Sequence, residues 1–437
     1  MSIPTLQGLQ TALSGLLAEQ QALDIAGHNI ANSTTEGYSR ETAVLQTNAP
    51  IVVPAINPRT GEGVQLGTGV SVASYTRIRN AYLDAQYRTQ NSTLSGSTTQ
   101  SEELAQAQSA FNEPSSSGIS SQLSAFWGAW STLANSPTSE AAKQGVLAAG
   151  QQLASAFNQL SAQLSTISTQ AGTQYASLTG ANGQVQDYAN QIAQLNGQIK
   201  QAQEAGQQPN DMLDRRDLLL DKLSSLAQVT VTLQPNGSDT VSFGDAAKPL
   251  VEGTTVNWPQ TLTSAAGGQL GALLGLTGPA GGLTSIGTAL DNVAATLAST
   301  VNALHASTPF FAGTTAATLT VALTAAQVDA SATKSAGGNE VALALAALRG
   351  GAADQGYSAL VEQVGARVKT AQDEQANAQT TVTAIGNQRQ SVSGVSLDEE
   401  MTSLITFQRG YQASARTLTA MDSMLETLIE HTGRTGL

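Results

Sequence analysis

Apolar residues at the two ends of this chain keep the same count. Leu6, Leu9, Leu13, Leu16, Leu23 and Ile30 follow a 3-4 rhythm broken only at Gln20 and Gly27. Leu404, Phe407, Tyr411, Leu418, Met421, Leu425 and Leu428 repeat it, with one break at Ser414. A repeat near 3.5 residues lays a narrow apolar seam along one side of a helix, and such a seam needs another helix to cover it. Chain tips are ordinarily polar and loosely held. The ends of this 437-residue chain are therefore expected to pair with each other as an antiparallel coiled coil, and then with helices of other molecules.

Between the ends the pattern is mainly α with smaller β parts. Residues 5 to 32 read as one helix, roughly 40 Å long, broken by Thr34-Thr35-Glu36-Gly37. Short β-prone runs follow at Ala43-Val44-Leu45, Ile51-Val52-Val53 and Val70-Ser71-Val72. Pro50, Pro54, Pro58, Gly61, Gly63, Gly67 and Gly69 punctuate them, as hairpins require. From 78 to 226 the chain is mostly helical. A heptad-like seam from Phe157 to Ile199 predicts one long paired helix, bent at Gly172, Gly180, Gly183 and Gly197. Ser136-Pro137 ahead of Glu140 reads as a helix start. Another helix opens at Asn210-Asp211.

Val229–Leu233, Pro235-Asn236-Gly237 and Thr240–Phe243 read as a hairpin, and 229–283 as a small inserted β domain. Helices are expected through Ile286–Val301, near Val341–Leu348, and over 358–390, with a strand at Thr318–Leu323. Ser391–Gly394 reads as a turn, and Ser396 with Glu399 as a capping box that opens the last helix.

Composition narrows the chemistry. Without cysteine there is no disulfide and no thiolate site. His28, His305 and His431 are too few and too scattered for zinc or iron, so no metal or cofactor is expected. A net charge of −13 disfavours nucleic acid, whose phosphates need a basic face. No apolar run reaches membrane-spanning length. The first basic residue is Arg40, so the chain is expected to be cytoplasmic, or exported by a route that does not use a cleaved signal peptide.

Motifs that suggest catalysis read better as structure. Gly61, Gly63, Gly67 and Gly69 lack phosphate-loop spacing and lead into a strand. Ser331-Ala332-Thr333-Lys334 has the S-x-x-K form without its companion elements. Asp398-Glu399-Glu400 sit in a first helical turn, where acids satisfy free N–H groups. Arg215-Arg216 among Asp211, Asp214 and Asp217 suggests local ion pairing. Trp127 and Trp130 read as a packing contact, and His28 as a core or interface histidine with a switch as the alternative. No nucleophile, base and orienter can be assembled, which points to a structural, non-enzymatic protein.

The chain resembles the flagellar rod, hook and filament axial proteins, and within them the hook-associated protein 1 (FlgK) family. The N-terminal resemblance lies in Ala12-Leu13-Ser14-Gly15-Leu16, Gly27-His28-Asn29-Ile30-Ala31-Asn32 and Gly37-Tyr38-Ser39-Arg40. At the C-terminus it lies in Ser393–Glu400 and Phe407-Gln408-Arg409-Gly410-Tyr411-Gln412-Ala413-Ser414-Ala415-Arg416. In the middle, Phe126-Trp127, Trp130, Leu133–Pro137, Asn210–Asp217, Val301-Asn302, His305 and Phe310-Phe311 match as well. Rod and hook proteins usually continue with Gly-Tyr-Lys or Gly-Phe-Lys, so Gly37-Tyr38-Ser39-Arg40 favours the hook-associated family. Only Ala306–Pro309 separate His305 from the Phe pair, and 231–283 is compact, which implies a slimmed exterior.

The resemblance implies a ring between hook and filament, held by terminal helices that pack in an inner tube. The assembly residues would be Leu6, Leu9, Leu13, Leu16, Leu23, Asn29, Ile30, Asn32, Leu404, Phe407, Tyr411, Leu418, Met421, Leu425 and Leu428. Partners would be other copies of the chain, the hook protein, the next hook-associated junction protein and a cytoplasmic export chaperone on the C-terminal helix, with no nucleic acid and no membrane. The location would be the extracellular flagellum, and the ends would order on assembly. The expected domains are a terminal coiled coil (1–35 with 395–437), a helix-rich core (36–228 with 284–394) and a β-rich outer domain (229–283). Two alternatives remain: a hook or distal-rod subunit, and an exported enzyme anchored by axial-protein ends with its activity in 231–283. That stretch holds no histidine and only Asp239, Asp245 and Glu252 as acids.

Overall fold

The computed structural model describes residues 4–53, 64–305, 308–333, 335 and 337–432. Pro54, Pro58, Gly61, Gly63, Ala306 and Lys334 lie outside the described residues, as do the side chains of Leu6 and His431. The fold is mainly α with small antiparallel sheets and long helices at both ends.

Helix α1 (Pro4–Ala31) leads into two hairpins. Strand β1 (Glu41–Thr47) pairs with β4 (Val70–Arg77), and β2 (Ile51–Val53) with β3 (Val64–Leu66). Helices α2 (Ala81–Phe111), α3 (Ile119–Asn135), α4 (Glu140–Thr179), α5 (Gln184–Glu204) and α6 (Asn210–Leu226) follow. Strands β5 (Val229–Leu233), β6 (Asp239–Phe243), β7 (Val251–Glu252) and β8 (Thr255–Val256) form one antiparallel sheet in chain order. Helices α7 (Gly268–Thr277) and α8 (Gly282–Leu304) precede the small pair β9 (Phe311–Ala312) and β10 (Thr320–Val321). Helices α9 (Glu340–Ala346), α10 (Ala352–Ser393) and α11 (Leu397–Thr432) close the chain.

Two apolar cores carry the body. The first gathers α3, the starts of α4 and α10, the end of α2, α8 and α9 around Phe126, Trp127, Trp130, Phe310 and Phe311. The rings of Phe310 and Phe311 meet edge-on at 4.8 Å. Trp127 and Trp130 are core residues, as their spacing suggests. The second core joins the end of α4, α5, α6, α7 and the β5–β8 sheet.

Several sequence expectations need correction. The 157–199 seam is two helices, because Gly180 and Gly183 enclose a turn in which Asn182 takes φ 66°. Ser136 closes α3 instead of opening α4: its N–H bonds to the Leu133 carbonyl. The true cap is Ser139, whose hydroxyl accepts from the Ala142 N–H. Ser391–Ser393 continue α10, and the chain turns only at Gly394. The 229–283 stretch is not purely short-stranded. It contains α7, whose Leu270 and Leu273 lie in the same core as Val241 and Phe243 of the sheet.

Candidate assembly interface

Helices α1 and α11 run antiparallel in strict register. Gly8 faces Met421, Gly15 faces Ser414, Glu19 faces Gly410, and Asn29 meets Glu400. Each step up one helix is matched by an equal step down the other. A Cβ on Gly15 would sit 3.2 Å from the Ser414 hydroxyl, so glycine there permits a close approach of the two helices.

On α11 the half-buried large apolar residues are Leu404, Phe407, Leu418, Met421 and Leu425, the line that the rhythm picks out, with Ser403, Gly410, Ser414 and Ala415 half-buried among them. Tyr411 and Leu428 are exposed. On α1 the contact line is shifted by one residue from the leucines. Ala12, Ala22, Ala26 and Asn29 are buried, while Leu9, Leu16, Leu23 and Ile30 are half-buried and Leu13 is exposed. One residue is about 100° around a helix, so the leucine stripe lies beside the contact and is only half-covered. The physical reason is closeness: small side chains fill the narrow gap, and leucines do not fit there.

The pair therefore leaves apolar surface uncovered. Leu13 and Leu17 on α1 are 43 % and 49 % exposed, and Met401, Ile405 and Met424 on α11 are 57 %, 47 % and 62 % exposed. Glu400 is the one residue of α11 that is fully buried among those described.

The pair is held to the body by a polar joint built from the motif residues. Asn29 is 1 % exposed. Its amide donates to the Glu41 carbonyl (2.9 Å) and to the Glu400 carboxylate (3.1 Å). Its oxygen accepts from the Glu41 N–H (2.9 Å) and the Tyr38 hydroxyl (2.7 Å). Arg40 reaches Glu399 and Glu400, both at 2.7 Å. These two acids thus pair across the chain. The capping box is only half made: the Ser396 hydroxyl accepts from the Glu399 N–H, but the Glu399 side chain is turned to Arg40. Asn32 ends α1, donating from its side chain to the His28 carbonyl at 3.1 Å.

Deeper in, Asp214 accepts from the Ser39 N–H (2.8 Å) and hydroxyl (2.7 Å) and pairs with Arg77 (2.7 Å). Asp217 meets Arg77, Arg79 and Arg88 at 2.9, 2.9 and 3.0 Å. Asp221 meets Arg88 and Arg389, each at 2.8 Å. Burial pushes the Asp217 carboxyl up, but Arg79, Arg88 and Arg77 more than reverse this and hold it below the usual range. Burial, reinforced by Glu41, Asp214, Asp211 and Glu400, raises the Tyr38 hydroxyl, which stays a donor. The expectation of local pairing around Arg215-Arg216 is overturned. Arg216 turns to Asp239 on β6 at 2.9 Å, because neighbours one or two apart on a helix do not face each other.

The other candidates are occupied structurally. Both nitrogens of His305 are used: Nδ1 lies 2.8 Å from the Thr308 carbonyl, and Nε2 accepts from the Asp329 N–H at 3.1 Å. The Ser331 hydroxyl donates to Glu340 at 2.6 Å. No helix among the described residues is long and apolar enough to cross a membrane.

Known proteins are similar to this chain along most of its length. The family model for the flagellar hook-associated protein FlgK helical domain matches residues 104–265. The flagella basal body rod protein model matches residues 9–38, and the flagellar basal body rod FlgEFG protein C-terminal model matches 387–430. These two matches take in most of both terminal helices, with Asn29 and Tyr38 on one side of the joint and Glu399 and Glu400 on the other. Flagellar hook-associated protein 1 of Bacillus subtilis is 29 % identical over 98 % of this chain and 99 % of its own length. Its namesake from Salmonella typhimurium is 31 % identical over 58 % of this chain, and the match spans 44 % of that relative. A solved structure, the flagellar hook junction protein FlgK from Burkholderia pseudomallei, covers 51 % of this chain and 44 % of its own, at 28 % identity and a TM-score of 0.46.

Proposed function

The chain belongs to the family of flagellar hook-associated protein 1, and from that premise we propose that it is a non-enzymatic structural subunit of the hook–filament junction. Subunits form a ring through their terminal helices, with the hook protein on one side and the next hook-associated junction protein on the other. One observation carries this reading: a helix pair, tied to the body by a buried joint, leaves Leu13, Leu17, Met401, Ile405 and Met424 open to solvent. Burying a side chain of this size is worth about 1.5–3 kcal/mol, so several such contacts per subunit offset the ordering cost of assembly. The joint sets the angle at which the pair leaves the body.

The same weakness of the free pair favours folding on assembly. In one chain α11 has a single fully buried residue among those described, Glu400, and an apolar line that is only half-buried, so its helix is held firmly only once neighbours cover it. An export chaperone covering α11 in the cytoplasm, and export without a cleaved signal peptide to the extracellular flagellum, complete the proposal. The domain division we adopt is 1–35 with 395–437, 36–228 with 284–394, and 229–283.

Cells lacking this protein are expected to build hooks and to shed filament subunits into the medium, scored by electron microscopy and immunoblotting of the supernatant. Cells without hooks would instead indicate a hook or distal-rod subunit.

A further inference from the structure

Beside the arginine-paired acids of the joint lies a group with no such partner. A ring nitrogen of His28, a carboxylate oxygen of Glu41 and one of Asp211 all lie within 4.8 Å of one another. They come from three elements: the last turn of α1, the first residue of β1 and the first turn of α6. Glu41 is 5 % exposed. Among the described residues neither Glu41 nor Asp211 pairs with an arginine or lysine, in contrast to Asp214, Asp217 and Asp221 a turn or more further along α6. The polar contact of the Glu41 carboxylate is the neutral Asn210 side chain. The three groups also form no hydrogen bond with one another.

One imidazole nitrogen and two carboxylate oxygens, converging with no arginine or lysine beside them and with only the His28 ring to offset the charge on Glu41, form a donor set that a divalent transition metal completes. Zinc takes such ligands at about 2.0–2.2 Å, which puts tetrahedral donors roughly 3.4 Å apart. Closing from within 4.8 Å takes side-chain rotation of about 1 Å, with no rearrangement of the fold. Asp211 is exposed and His28 half-exposed, so an ion has an entry path. We propose that His28, Glu41 and Asp211 bind one zinc ion, with solvent filling the remaining position. The ion ties α1, β1 and α6 together and so stiffens the joint between the terminal pair and the body. The proposal does not depend on the junction reading. The competing role for His28 is packing alone, since its ring stands edge-on to Tyr38 at 5.5 Å and its Nδ1 lies 3.2 Å from that hydroxyl.

The test is calorimetric titration of the untagged, chelator-stripped full chain with Zn²⁺, together with the visible spectrum of the Co²⁺ form. The expected result is one ion per chain and a ligand-field spectrum of low coordination number. Asp211→Asn, an exposed position whose change leaves packing intact, and His28→Ala each weaken binding by more than the roughly 10–100-fold typical of outer-shell changes. His431→Ala leaves it unchanged. Absence of saturable binding overturns the site, and so does binding that survives Asp211→Asn or is lost in His431→Ala.

Discussion

Deleting residues 1–33 and 400–437 is expected to leave a folded, monomeric body that no longer joins hook to filament. Both apolar cores draw their buried residues from 104 to 371 alone, so the deletion removes none of them. The arginine–carboxylate cluster formed by Arg77, Arg79, Arg88 and Arg389 with Asp84, Asp214, Asp217 and Asp221 also stays whole. What is lost on the body side is the Arg40 pairing with Glu400, the Asn29 contacts and the packing of α1 on β1 and β4, with the Val70 N–H bond to the Ser14 hydroxyl, all at the surface created by the cut. The truncated protein should give the circular dichroism of a folded helical body and unfold cooperatively, and its sedimentation should be that of a monomer. In cells it should fail to restore filaments. A truncated protein that still restores them would remove the terminal helices from the account. One that does not fold would show that the joint stabilises the body as well.

Arg216→Met is expected to destabilise the fold by about 3–5 kcal/mol at pH 7, the usual cost of stranding one member of a buried ion pair. Arg216 is 4 % exposed and holds four elements together. Its guanidinium pairs with Asp239 (2.9 Å) and donates to the Asn196 side-chain oxygen (2.9 Å) and the Gly237 carbonyl (2.8 Å). Asn196 in turn donates to the Asp239 and Gly253 carbonyls. Helices α5 and α6 are thus clamped to the hairpin β5–β6 and to the β7–β8 turn. Burial pushes the Asp239 carboxyl up to about 6, with Arg216 opposing the rise. A raised folded-state pKa means that the native protein binds the proton more tightly than the unfolded chain. The associated stability is present below the unfolded value and is lost as pH rises through about 6. In the variant the largest opposing charge is gone and only Arg88 and Arg77 still act against the rise, so its deficit should shrink between pH 7 and pH 5 as Asp239 becomes neutral. The remainder, about 1–3 kcal/mol, is the stranded Gly237 carbonyl and the weakened Asn196 oxygen, which keeps only the Asp239 N–H at 3.2 Å. Urea unfolding at the two pH values measures both quantities. A deficit below 1 kcal/mol, or one independent of pH, would contradict the clamp.

The helical frame was legible because periodicity and glycine punctuation act locally: α6, α8 and the β5–β6 hairpin start and stop close to where their patterns do. The seam of α11 was legible for the same reason. That of α1 was displaced by one residue because leucines mark the most apolar stripe, whereas a closely approaching pair selects its alanines and glycines. Size, more than hydrophobicity, decided which stripe faced inward. The joint was hidden because its partners lie far apart in sequence, as Arg77 does from Asp214. A signal existed nonetheless. Asp214, Asp217 and Asp221 stand at i, i+3 and i+7, one acidic face of a helix, and Arg77 and Arg79 stand two apart, one side of an extended segment. The convergence of His28, Glu41 and Asp211 had no such pattern, since each comes from a different element.

The absence of cysteine allows a direct test of the central claim, that assembly covers the outward apolar stripes of the terminal pair. Leu17→Cys and Met424→Cys each place a single thiol on a stripe, and Leu233→Cys places one at a 70 % exposed position on the sheet. Maleimide labelling is compared in the free protein and in isolated hook–filament junctions. The account predicts that all three react in the free protein, and that in junctions the thiols at 17 and 424 are protected while that at 233 still reacts. Equal labelling at 17 and 424 in both states would contradict it.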